Sequence, residues 1–247
     1  MAAGLPAIHA TTILTDATTG EPRASSNARA LTAHRTAAVS GLAIARWGPP
    51  PERPVTVALI GAGAQARTHL PVIAHLLPEA GIVICDRDQA RLDTLRHDIE
   101  ADPSGLGAFR GVGLTTDPTE ALDRAQIVIT MVSFGPERQL LPADAFAPDA
   151  TIVAVDYDMC VPASVASDAA LFLVDDREQY LANRAGAVFA GYPSEPGMIG
   201  DAIVAGTRRP SGRVLVTHLG VGLADIVFAD AVLSTADERG IGMLLER

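Results

Sequence analysis

The chain has 247 residues, long enough to bury a sizeable core as one or two domains. Its formal charge of −10 argues against a nucleic-acid or anionic-membrane partner, either of which needs clustered basic side chains. No apolar run reaches the length of a membrane span, and the N-terminus lacks the basic and then apolar segments of a signal peptide.

Residues 8 to 26 read as a β-hairpin: Ile8 to Leu14 is β-prone, and the stretch from Asp16 to Pro22 carries turn residues. Asn27 is placed to cap a helix that runs to Trp47, where Gly48 and the prolines Pro49, Pro50 and Pro51 end it. Leu31, Ala38, Leu42 and Ala45 fall on one apolar stripe, and Arg35 sits among them. A guanidinium there needs an anion. It is either paired to an internal carboxylate or forms a fork for a ligand carboxylate or a cofactor pyrophosphate.

After the stiff segment Pro49 to Pro54 comes the most informative stretch. Val55 to Ile60 is an apolar, β-branched run suited to a buried parallel strand. It turns through Gly61-Ala62-Gly63-Ala64-Gln65-Ala66, and a second short run, Ile82 to Cys85, ends in Asp86. This is the strand–turn–helix–strand–acid order of a dinucleotide site. Gly61 permits the tight turn, Gly63 lets the backbone approach a pyrophosphate, and Ala66 allows close helix–strand packing. The helix N-terminus offers N–H groups to the phosphates. Asp86 lies about 20 residues on, where a carboxylate accepts the ribose hydroxyls and repels a 2′-phosphate. NAD is therefore expected, with NADP possible because Arg87 follows and is able to pair a phosphate.

Further helices are expected over 64 to 77 and 88 to 99, then a short strand from Val112 to Thr115 and a small helix capped at Asp117. Strands follow at 126–132, 151–155 and 171–174, and a last strand at 213–217 leads to His218. Beyond residue 175 the chain reads as helical with a loop at 191–197, and a final helix from Ala224 to Glu238 is expected to pack on the 27–47 helix. In a parallel sheet, ligands lie beyond the carboxyl ends of the strands. That rule singles out Gly61–Gln65, Asp86, Thr130–Ser133 and Asp156–Asp158.

Asp158 is the candidate for chemistry. Apolar neighbours and the carboxylate of Asp156 are expected to raise its pKa toward the range useful for proton transfer, the alternative being a turn or capping aspartate. His218, at a strand end, either approaches the nicotinamide or is a satisfied structural histidine. Cys160 has no evident base and reads as an inert small residue. All nineteen basic residues are arginine, so no lysine amine is present for a Schiff base or as a general base. Two cysteines make no disulfide framework, which favours a reducing cytoplasm, and no histidine–cysteine–carboxylate spacing suggests a metal.

The segments 16–22, 31–38, 60–67, 86–88, 154–158 and 220–225 resemble the ornithine cyclodeaminase/mu-crystallin family. The Leu31-Thr32-Ala33-His34-Arg35-Thr36-Ala37-Ala38 stretch is the most specific of them. The resemblance implies an α/β fold. In it a Rossmann-type, doubly wound parallel sheet (51–219) is inserted in a partial α+β substrate and dimerisation domain (1–50 plus 220–247). It implies that Arg35 contacts cofactor phosphate near the substrate, that Ala64 and Gln65 cover the pyrophosphate, and that Asp86 holds ribose. Thr130 and Val155 would border the nicotinamide half, with Ser133 on the same strand end, Leu219 near substrate and Asp158 transferring protons. A homodimer is implied as well.

Three features depart from the family pattern. The chain begins inside the family's N-terminal β-rich segment. The lysine expected four positions after the catalytic aspartate is Pro162. A late Lys-Ser pair is replaced by Thr217-His218. The function implied is an NAD-dependent enzyme on a small amino or imino acid, converting an amino acid to a cyclic imino acid plus ammonia. A ketimine or imino-acid reductase, an alanine-dehydrogenase-like oxidoreductase and a non-catalytic dinucleotide binder are the alternatives.

Overall fold

The computed structural model describes residues 10–50, 55–102 and 109–243. Ile8, most of the 49–54 proline segment and most of the 102–111 loop lie outside them. The chain divides into two compact units, Met1–Arg35 with Gly220–Arg247, and Thr36–Leu219.

In the first unit, β1 (Thr11–Thr15) pairs antiparallel with β2 (Pro22–Asn27). The hairpin turn is made by Asp16, whose carboxylate accepts the N–H groups of Thr18 and Thr19. Asn27 Oδ1 accepts the Arg29 N–H at 2.9 Å and so caps α1 (Ala28–Trp47). The long C-terminal helix, α8 (Gly222–Arg239), closes at Gly240 in the left-handed conformation, φ 63°. It meets the first turns of α1 through the stacked rings of His34 and Phe228.

The second unit is a parallel sheet of eight strands with helices on both faces. Its strands are β3 (Thr56–Ile60), β4 (Gly81–Cys85), β5 (Gly111–Thr115), β6 (Ile127–Thr130), β7 (Thr151–Ala154), β8 (Leu171–Val174), β9 (Gly197–Met198) and β10 (Val214–Thr217). Their order across the sheet is β5-β4-β3-β6-β7-β10-β8-β9. The order reverses between β3 and β6, the switch point at which an open α/β sheet binds its ligand. Along β3 the residues alternate between two cores: Val57 and Leu59 face one, Ala58 and Ile60 the other. Both faces are covered, which is why these strands read as continuous apolar runs.

The helices here are α2 (Ala64–Leu76), α3 (Gln89–Ala101), α4 (Pro118–Leu122), α5 (Ala163–Ser167), α6 (Arg177–Ala185) and α7 (Ile199–Val204). Asp88, Asp117 and Asp176 cap α3, α4 and α6 by accepting N–H groups of the first turn.

Several expectations are corrected. The buried face of α1 is Thr36, Ala37, Ser40, Ala43, Ile44 and Trp47, while Ala38, Leu42 and Ala45 lie on the exposed side. The bulk of Trp47 and Ile44 outweighs the weaker stripe of alanines and one leucine. Trp47 is fully buried and tied at both ends: its Nε1–H donates to the Thr207 carbonyl, and its own carbonyl accepts the Thr151 hydroxyl. Residues 36–47 accordingly group with the sheet, and the division into compact units falls inside the helix. A two-residue strand, β9, starts at the last residue of the stretch read as a loop and is added at the sheet edge, while β10 lies between β7 and β8. No described helix is long and apolar enough to cross a membrane.

Candidate active site

The turn after β3 is built by backbone necessity. Gly61 has φ +115°, and a Cβ there would lie 2.9 Å from the Met131 carbonyl oxygen, so only glycine fits. Gly63 caps α2 with no side-chain bond to the first turn, and a Cβ built on it meets nothing within 4 Å. The helix therefore opens with its N–H groups uncapped and its backbone approachable.

Asp86 is brought directly to this turn. Its Oδ2 accepts the Ala62 N–H at 2.9 Å and its Oδ1 the Asp88 N–H at 3.0 Å. A carboxylate has about four lone-pair directions, so capacity for hydroxyl donors remains. Gly61, Gly63, Asp86, Arg87 and Ser133 line one cavity of about 310 Å³ with Met131 and Val132. Arg91, which sequence reasoning passed over, lies on the same wall with Nη1 at 4.0 Å from Asp86 Oδ2. Its signal was its place one turn into α3, three residues after the Asp88 cap.

These features meet the demands of an adenosine diphosphate: an uncapped helix N-terminus, a glycine without steric cover, and an anchored carboxylate. Gln65 is held from beneath. Its carbonyl accepts the Thr68 hydroxyl and His69 Nδ1–H, so Nε2 of His69 accepts the Ser40 hydroxyl. Ser40 Oγ in turn lies 2.9 Å from Nε2 of His218. Burial depresses the His69 pKa to about 4, which keeps the ring neutral as this chain requires. His218 is thus a buried partner of Ser40 behind the first turn of α2.

At the ends of β6 and β7 a second group of side chains collects. Asp156 is buried, with Oδ1 accepting the Thr130 hydroxyl at 2.7 Å and Oδ2 the Val132 N–H at 3.1 Å. Burial raises its pKa to about 6, against the opposing pull of those bonds. Val155, half-buried, packs on the core beside it. Cys160 is buried next to Asp156, and both burial and that carboxylate push its thiol up, consistent with an inert residue.

The surroundings of Asp158 are not the apolar ones expected. Its Oδ2 accepts Arg138 Nη2–H and the Phe189 N–H, both at 2.7 Å. The loop carrying Arg138 is pinned alongside by Gln139 N–H to the Met159 carbonyl and Leu141 N–H to the Cys160 carbonyl. The cation at Asp158 is supplied from 20 residues upstream. The local sequence around Asp158 carried no sign of it.

Tyr157, between the two aspartates, has φ +61°, unusual for a side chain of this size and a mark of local strain. Its hydroxyl donates to the Leu219 carbonyl at 3.1 Å, and the Leu219 N–H donates to Asp175. Leu219 is thus fixed between Tyr157 and Asp175. In the first unit, Arg35 Nε pairs with Asp225 Oδ1 at 3.0 Å, the internal carboxylate among the alternatives above. Gly220, φ +99°, leaves room for the guanidinium: a Cβ there would meet Arg35 Nη2 at 2.9 Å. Among the described residues, no cluster of three or more His, Cys, Asp or Glu is placed to hold a metal ion.

The chain is similar over 98% of its length to nodulation efficiency protein NfeD of Rhizobium meliloti, with 24% identity and 74% of that protein covered. A lysine cyclodeaminase, solved for its recognition of L-lysine, L-ornithine and L-2,4-diaminobutyric acid, superposes with a TM-score of 0.79 at 25% identity. That match covers 98% of this chain and 70% of the other. A Δ1-pyrroline-2-carboxylate reductase from Thermococcus litoralis, solved with NADH and L-proline, gives 0.79 at 20% identity over 98% and 76%. The profile of the ornithine cyclodeaminase/mu-crystallin family matches residues 1–171. That match covers more than half of the chain, which belongs to the ornithine cyclodeaminase/mu-crystallin family.

Proposed function

We propose that this protein is an NAD-dependent enzyme acting on a small amino or imino acid, within the cyclodeaminase and imino-acid reductase range of its family. The observation that carries the reading is Asp86, bonded to the Ala62 N–H at the lip of an uncapped helix and facing the same cavity as Gly61 and Gly63. The first turn of α2, Ala64 and Gln65 included, holds the pyrophosphate, and Asp86 takes the ribose hydroxyls. Thr130, Ser133 and Val155 border the nicotinamide half. When bound, the nicotinamide ring supplies or accepts a hydride.

Asp158 holds and releases the proton of the substrate nitrogen. The Phe189 N–H and Arg138 fix its carboxylate, in a pocket that Tyr157 and Phe134 help to wall. Beyond its Asp225 pair, Arg35 keeps two terminal nitrogens, the donors that a phosphate or a substrate carboxylate requires. Residues 36–219 form the dinucleotide-binding body, and the flanking unit serves substrate and dimer contacts. Leu223, Ile226 and Val227, exposed at helical spacing on α8, support a homodimer. The free, buried thiols Cys85 and Cys160 support a cytoplasmic location.

The test is titration of the purified chain with NADH, followed by turnover with a panel of amino and imino acids. Saturable NADH binding with turnover is expected. Binding without turnover of any member would leave a dinucleotide binder, and no binding would remove the proposal.

A further inference from the structure

The 132–141 loop, which helps to line the dinucleotide cavity, also lines a second pocket of about 300 Å³. Arg138 and Asp158 meet in it, and Phe134, Tyr157, Met159 and Val188 complete its walls. The two charges differ in freedom. The Asp158 side chain is 9% exposed and anchored by the Phe189 N–H, whereas Arg138 is 36% exposed and, among the described residues, bonds to Asp158 alone.

An anchored, buried anion paired 2.7 Å away with a partly exposed cation is a closed arrangement. A ligand carrying both charges on adjacent atoms opens it and replaces one ion pair with two. The carboxylate and nitrogen of an α-amino or α-imino acid are such a pair. Guanidinium suits the carboxylate, since its planar fork makes two parallel hydrogen bonds.

The remaining walls decide what side chain follows. Among the described residues Asp158 is the one carboxylate lining the pocket, and the Tyr157 hydroxyl is already given to the Leu219 carbonyl. A second ammonium on the ligand would lie against Phe134, Met159 and Val188 without an anionic partner, which disfavours it.

We propose that Arg138 and Asp158 form a clamp for the carboxylate and nitrogen of an α-amino or α-imino acid whose side chain is apolar or cyclic, and that the pocket rejects diamino acids. The clamp rests on the proposed function in taking Asp158 as the group that meets substrate nitrogen. It narrows that function toward monoamino and cyclic imino acids and makes Arg138 a specificity-determining residue.

Calorimetric titration of the full chain, with and without saturating NAD, uses L-proline, L-alanine, L-ornithine and pyrrolidine as probes. L-Proline is expected to bind at least tenfold more tightly than L-ornithine and than pyrrolidine, which lacks the carboxylate. Arg138→Gln should weaken L-proline at least tenfold while changing pyrrolidine and NAD by less than twofold, and Arg138→Lys should restore part of the loss. L-Ornithine binding as tightly as L-proline, L-proline binding unchanged in Arg138→Gln, or no binding of any amino acid overturns the clamp. Loss of NAD binding alone, with the amino-acid series intact, overturns the proposed function and leaves the clamp standing.

Discussion

The turn at Gly61–Gly63 and the aspartates at 156–158 both sit at strand ends of one sheet, yet they are made in different ways. The turn is a backbone device, written within a few residues and completed by one carboxylate from the next strand. The aspartate group consists of side chains gathered from afar: Thr130 and Val132 on Asp156, Arg138 and Phe189 on Asp158. Phosphate recognition by N–H groups tolerates almost any side chain outside the glycine positions. Proton transfer depends on the partners around one carboxylate.

If that contrast holds, side-chain and backbone changes should separate the two regions. Asp158→Asn keeps shape but cannot take up a proton, and it should lower turnover by roughly 10²–10⁴-fold, the usual worth of a general acid–base. NADH affinity in that variant should stay within about twofold of wild type. Turnover near the wild-type level would remove Asp158 from the chemistry.

Gly61→Val acts on the other region. A β-branched residue at φ +115° with its Cβ 2.9 Å from a carbonyl oxygen forces the turn to move. The strain is about 1–3 kcal/mol or more, read as a loss of NADH affinity and a lower melting temperature. Normal binding would mean that the turn does not hold the cofactor.

The Asp156 prediction is a pH effect. Burial lifts its folded pKa to about 6, above the ordinary aspartate value of 3.8. Between those values the folded protein holds the proton and the unfolded chain does not, so stability falls as pH rises from about 4 to about 6 and stays lower above. Asp156→Asn has no charge to bury. Its amide oxygen can take the Val132 N–H while its NH₂ donates to the Thr130 hydroxyl, which is free to rotate. The variant should be flat across this window and gain on the order of 1–3 kcal/mol over wild type at neutral pH, as urea unfolding would show. Parallel pH profiles for the two proteins would contradict the buried-carboxylate reading.

The same contrast explains what could be read from the chain. Gly61, Gly63 and the caps Asn27, Asp88 and Asp117 were legible because each acts on backbone within a few residues of itself, and Asp86 because it ends the strand that follows the glycine turn. The face of α1 was misread because small alanines carry a weak periodic signal, and Trp47 and Ile44 decide the packing only once the sheet is present. Arg138 was invisible for a topological reason: two backbone hydrogen bonds, from Gln139 and Leu141 to Met159 and Cys160, set it against Asp158. The insertion of β10 between β7 and β8 is another long-range choice that no local pattern records.

The most direct measurement is the affinity of the wild type and of Asp86→Ala for NADH and NADPH, by quenching of protein fluorescence. Charged hydrogen bonds of this kind are worth about 1.5–3 kcal/mol, so NADH should weaken by roughly 10- to 150-fold. NADPH, freed from the carboxylate and met by Arg87 and Arg91, should weaken far less or improve. Equal NADH affinity in the two proteins, or no NADH binding by the wild type, would contradict the assignment of this cavity to NAD.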